Sequence, residues 1–127
     1  MKLIALITIG LALGACTYDE GPFTGPGQDP DQKSVSFAND IQPIFNLYCT
    51  NCHSDRHSKL KLVPSLSYNQ LMLDGLRAPY VDIQVPDNSL ILGYLKGIPT
   101  TMPPSGPIPG FEIETISRWI ESGAKND

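Results

Sequence analysis

The stretch Tyr48–His57, "YCTNCHSDRH", sets two cysteines and two histidines within ten residues. A cluster of this kind suits three chemistries: a zinc site, a redox dithiol, or covalent attachment of a haem. The compartment the chain reaches, and any further ligand along it, decide between them.

The compartment is written at the start of the chain. Residues 1–15, "MKLIALITIGLALGA", carry one positive charge at Lys2 ahead of an apolar run from Leu3 to Leu13. That run is shorter than the roughly 20 residues a membrane-spanning helix needs, and it has the form of a secretion leader. Leu13-Gly14-Ala15-Cys16 resembles a bacterial lipobox, so Cys16 is the expected lipid attachment site and first residue of the mature protein. A plain leader followed by an incidental cysteine is the alternative, but an odd third cysteine fits the lipid reading better. The expected location is outside the cytoplasm: lipid-anchored to a bacterial membrane, with the domain in the periplasm or on the cell surface. An exported C-x-x-C pair meets oxidising conditions and tends to close as a disulfide. This argues against a cytosolic-type dithiol and, less firmly, against a thiolate zinc site.

Outward from the cluster, residues 16–35 read as a flexible Gly/Pro-rich tether. Six of the ten residues from Gly21 to Pro30 are Gly or Pro, and almost nothing there is suited to burial. A coil of this length spans roughly 20–25 Å on average and reaches on the order of 60 Å at full stretch. Residues 36–127 are the expected folded domain. The whole chain has a formal charge of −4 and no run of Lys or Arg. Loss of Lys2 with the leader takes the charge to −5, and a nucleic-acid partner is excluded for want of a basic patch.

Within the domain, twelve prolines and eleven glycines across the chain predict short elements and many turns. Asn39 with Gln42 three residues on predicts a capped helix start, with Pro43 in the first turn. Ile41, Phe45, Tyr48 and Cys52 fall on one helical face that runs into the cysteine cluster. Ser67 and Gln70 predict a second helix, ended by Gly75, with Met72 as ordinary helix core. "YVDIQVP" (80–86) reads as a short extended piece. Asp87 or Asn88 is the expected cap of a helix over "SLILGYLK" (89–96), ended by Gly97. The proline-rich "IPTTMPPSGPIPG" (98–110) is a loop. The last helix carries Ile113, Ile116 and Ile120 on one face, Glu112 and Glu114 near its positive end, and Gly123 as its stop.

Cys49-Thr50-Asn51-Cys52-His53 is C-x-x-C-H, the signal for c-type haem attachment. Two thiols three positions apart on a helical turn can each add to one of two vinyl groups on adjacent pyrroles. The next residue, His53, is then carried beneath the iron as an axial ligand. Zinc would need Cys49, Cys52, His53 and His57 together, a cramped knot compared with the two separated pairs of most structural zinc sites. His57 has too little chain to reach the opposite haem face and reads as a solvated surface residue. Met102 lies in the loop before Pro103-Pro104, 49 residues past His53, where a proline-stiffened segment can offer a thioether to iron. A loop methionine packed on the surface is the alternative.

"FANDIQPIFNLYCTNCHS" (37–54), followed by "TMPPSGPIPGFEIETISRWIESGA" (101–124), resembles the small monohaem class I c-type cytochromes of bacteria over nearly the whole folded part. The resemblance implies an all-α, cytochrome c-like fold of three to five short helices around one covalently attached haem c, with the first and last helices crossing. It implies thioether bonds at Cys49 and Cys52 and axial ligation by His53 and Met102. It also implies a carbonyl that takes the N–H of His53, for which Pro64 is the candidate, although "SDRHSKLKLVPSL" (54–66) departs from the Gly-rich segment of many relatives. A domain of this size buries limited apolar surface alone, so haem is expected to complete its core.

Iron with both axial positions filled exchanges electrons through the haem edge instead of binding substrate. The expected function is therefore a one-electron carrier, not an enzyme. Its expected partners are redox-protein donors and acceptors and a membrane held through Cys16, with no small-molecule substrate. An open-site haem protein for gas sensing or peroxidase-like chemistry is the alternative if Met102 does not ligate.

Overall fold

Ser36 starts the first helix. The computed structural model describes residues 33–72 and 80–127. The leader, Cys16, most of the tether and the Gly75 helix end lie outside the described residues. Ser36 is extended, and its Oγ accepts the Asn39 N–H at 3.2 Å while its own N–H donates to the Asp40 carboxylate at 2.8 Å. This is a capping box widened by one residue, because the first turn, Phe37–Ile41, is π-helical and Ile41 N–H reaches back to the Ser36 carbonyl. The cap is thus Ser36 and not Asn39. Helix α1, Gln42–Tyr48, follows with Pro43 in its first turn.

The last residue of the chain completes this cap. Asp127 accepts the Phe37 N–H on its side-chain oxygen at 2.9 Å and the Ala38 N–H on its backbone oxygen at 2.8 Å. A carboxylate therefore stands at the positive end of the first helix, where the helix dipole favours it.

Gln42 has a role other than capping. It is buried, its amide donates to the Leu62 carbonyl and to Asn46 Oδ1 at 2.9 Å each, and its Oε1 accepts the hydroxyl of Ser67. Ser67, fully buried, opens helix α2, Ser67–Met72, as its first residue and not as a cap. Met72 is partly buried against the core, as expected of a helix-core residue.

The segment after Tyr80 is not extended. Asp82 accepts the amides of Gln84 and Val85 on one carboxylate oxygen at 2.9 Å each, closing a turn with no partner strand. A 3₁₀ turn, Pro86–Asn88, follows, and helix α3, Leu90–Leu95, begins after Ser89. Asp87 and Asn88 lie in that 3₁₀ turn, so neither caps α3. Buried Ser89 instead turns its Oγ to the Asp82 N–H at 2.9 Å.

Helix α4, Gly110–Glu121, ends as expected at Gly123, whose φ of +99° is in the left-handed region. The Gly123 N–H returns to the Ile120 carbonyl and the Ala124 N–H to that of Trp119. Both bonds satisfy carbonyls that the helix end leaves over.

Among the described residues the fold is all-α, four α-helices with the π and 3₁₀ turns and no strand. Lys33–Asp127 forms one unit, in which α4 packs on the π-turn and on α3. Its centre is an aromatic group. The Phe37 ring lies 5.2 Å from those of both Tyr68 and Trp119, and edge-on at 6.3 Å to Phe45. Trp119 Nε1–H donates to the Lys125 carbonyl and Tyr68 O–H to that of Ala124. This packing ties the C-terminal segment to α4 and leaves the other face of α1 free to line a cavity.

Candidate functional site

The C-x-x-C-H segment is a turn of its own. Helix α1 stops at Tyr48, and Cys49 turns the chain with φ −120°, so Cys52 does not continue the face of Ile41 and Phe45. The Cys49 carbonyl then accepts the N–H of Cys52 at 3.1 Å and of His53 at 2.8 Å. This single helical turn carries both thiols and the imidazole. Both cysteines are free thiols; Cys49 is half-buried and Cys52 exposed. Burial pushes the Cys49 thiol up to about 11, so it stays protonated at neutral pH.

His53 is fixed through its inner nitrogen. Its Nδ1 lies 2.9 Å from the Leu60 carbonyl, and because a carbonyl can only accept, Nδ1 carries the hydrogen. Nε2 is then the nitrogen left to bind a metal. The acceptor expected on physical grounds is present, but it is Leu60 and not Pro64, which is exposed. The loop that brings Leu60 back is closed by the Leu62 N–H on the His53 carbonyl at 2.8 Å.

His57 is partly exposed, as expected of a surface residue, but it is not a bystander. Its ring lies against that of His53, centroids 4.3 Å apart and tilted by 44°. Its Nδ1 accepts the amides of Leu60 at 3.1 Å and Lys59 at 3.3 Å. Burial, and then the charge of His53 beside it, hold its pKa below the ordinary histidine value.

Met102 is delivered by the end of α3. Gly97, with φ +89°, reverses the chain, and the Ile98 N–H returns to the Gly93 carbonyl. The Met102 N–H then donates to the Tyr94 carbonyl at 3.0 Å, pinning the loop at the residue that matters. A Cβ on Gly93 would lie 3.0 Å from the Ile98 carbonyl, so glycine is what lets the loop leave so close to the helix.

These parts meet at one cavity of about 440 Å³. Cys49, Cys52, His53, His57 and Leu60 line it from the motif, and Tyr94, Met102, Pro103 and Pro104 from α3 and its loop. Ile44, Phe45, Ile91, Ile108 and Ile116 make its lining largely apolar. The volume is within the range of small-molecule and cofactor sites. The lining fits a large apolar group, and Cys49, Cys52, His53 and Met102 stand on it together.

The zinc alternative lacks its ligand set. Among the described residues no three His, Cys, Asp or Glu side chains gather as a metal-holding group. His53 and His57 lie ring against ring, and Nδ1 of each is engaged with backbone.

The sequence named Cys49, Cys52, His53 and Met102, and the fold brings all four to the same cavity. It missed Leu60 and His57. A backbone carbonyl leaves no mark in residue identity. The buried leucines of "LKL" (60–62), alternating about Lys61, were the available sign that this segment turns back to the core.

The site thus defines an all-α unit built around an apolar cavity with a C-x-x-C-H turn and a methionine loop on its lining. No family model, curated protein or solved structure matches the chain.

Proposed function

We propose that the chain is a membrane-tethered, monohaem c-type cytochrome that carries single electrons. The observation that supports this best is the convergence of Cys49, Cys52, His53 and Met102 on one largely apolar cavity, with His53 Nδ1 already committed to a carbonyl. Cys49 and Cys52 would hold the haem as thioethers, and His53 and Met102 would be the residues that ligate its iron. Bound haem supplies a one-electron iron couple. The chain's own part is to fix both ligands, keep water from the iron and leave an edge for electron exchange. His/Met ligation raises the reduction potential relative to more strongly donating pairs.

In this reading residues 1–15 are the leader, Cys16 bears the lipid, and residues 16–35 are the tether. The cytochrome c-like domain of residues 36–127 works beside a bacterial membrane, outside the cytoplasm. Its partners are redox proteins, and it turns over no substrate.

The test is the visible spectrum of the protein made in a host that attaches haem c, beside Met102→Ala. The expected wild type is low-spin in both oxidation states, with a weak far-red sulfur–iron band that the variant lacks. A high-spin wild type that shifts on adding carbon monoxide contradicts a sealed site and makes the open-site alternative the better reading.

A further inference from the structure

His57 lies outside the proposed ligand set, yet it is built into the site. Its backbone N–H donates to the Ser54 carbonyl, its Nδ1 accepts the Leu60 amide, and its ring covers one side of the His53 ring. The same residue, Leu60, offers its carbonyl to His53 Nδ1. One residue thus receives an anchor from His57 on its amide and orients His53 with its carbonyl. The far end of this loop is held by the Leu62 N–H on the His53 carbonyl and by the buried Leu60 and Leu62 side chains; at its near end Ser58 and Lys59 are exposed, and the bond to His57 Nδ1 is what fixes the Leu60 peptide from that side.

We infer that His57 is a positioning residue for the haem ligand: by accepting the Leu60 amide, it holds the Leu60 carbonyl on His53 and so sets the orientation and donor strength of the imidazole. The inference rests on the haem reading above. Partners of this kind are known to raise the basicity of a ligating histidine. A firmly held carbonyl makes His53 a stronger donor, favours the oxidised iron and lowers the potential. A loosened one does the reverse.

Two roles of His57 are separable by chemistry. Asparagine carries its Oδ1 on Cγ, where histidine carries Nδ1, so His57→Asn keeps an acceptor for the Leu60 amide and loses the ring. His57→Phe keeps a flat ring and loses the acceptor. The experiment is made on the haem-loaded wild type, H57N and H57F, with covalent haem first confirmed by mass in each. Midpoint potential is read together with hydrogen exchange of the Leu60 amide and of the His53 Nδ1–H in the reduced protein.

The expected result is that H57N stays close to wild type. In H57F the potential rises and the Leu60 amide exchanges faster by roughly 2- to 12-fold, the ratio one intramolecular hydrogen bond sustains. If H57F matches wild type and H57N does not, ring packing is the whole role and the inference is overturned. If both match wild type, His57 positions nothing. A wild type that takes up no covalent haem overturns the haem reading itself, and this inference with it, by a separate readout.

Discussion

The residue whose identity says least about its job is Gln42. A glutamine in a first turn reads as solvent-facing, but here it joins three segments: α1 through its own backbone, the returning loop through the Leu62 carbonyl, and α2 through Ser67. Gln42→Leu conserves bulk but leaves the buried Ser67 hydroxyl without its acceptor and Leu62 without its donor. The expected cost is about 1–3 kcal/mol in urea unfolding of the haem-loaded protein. Adding Ser67→Ala to that variant should recover part of the loss, because removing both partners is cheaper than orphaning one. If the double variant is less stable than Gln42→Leu, the hydrogen bond is not the source of the effect. Cys49, Cys52 and His53 were legible because their chemistry is in their side chains. Gln42, Leu60 and His57 were not, because their chemistry is with backbone groups that only the fold brings near.

At the scale of elements, the ends of helices matter more than their middles. Glycine stops at Gly97 and Gly123 were readable, since a left-handed residue after a helix has few substitutes. The starts were not: Ser36 bonds Asp40 across a π-turn, one residue wider than the usual box, and Ser89 spends its hydroxyl on Asp82. In each case a tertiary or irregular local bond won over the nearest standard pattern. The α3 terminus carries a functional consequence. Gly93→Ala gains helix propensity of about 1 kcal/mol and pushes on the Ile98 carbonyl at comparable cost, so stability changes by no more than about 1–2 kcal/mol. The Met102 loop, which begins at that carbonyl, shifts. The expected outcome is a weakened sulfur–iron band and tighter binding of added imidazole, read by titration of the oxidised protein. Gly123→Ala should instead lower stability by about 1–2 kcal/mol through left-handed strain and leave the band unchanged. Equal spectra for Gly93→Ala and wild type would show that the loop does not need this close approach.

Across the whole molecule, the apolar lining of the cavity and the aromatic group under α4 are two halves of one core, joined through Phe45 and Ile116. The Cys49→Ala/Cys52→Ala variant, made without haem, should show much reduced helicity by circular dichroism and no cooperative thermal transition. A sharp transition close to that of the haem-loaded protein would mean that the aromatic half holds the fold by itself. Charge acts at this scale as well. Residues 16–127 sum to a formal charge of −5, of which −3 falls in residues 16–35 and −2 in residues 36–127. Under the proposed function this acidic excess favours basic partner surfaces, so electron transfer to such a partner should slow as salt rises, and a rate insensitive to salt would contradict charge steering. The most direct test of the central claim is the intact mass of the exported protein after denaturation and acidic solvent extraction, with free thiols counted. One haem retained, with Cys49 and Cys52 both unavailable to alkylation, is the predicted result. Protein of bare polypeptide mass in the domain, with both thiols free or joined to each other, would contradict it.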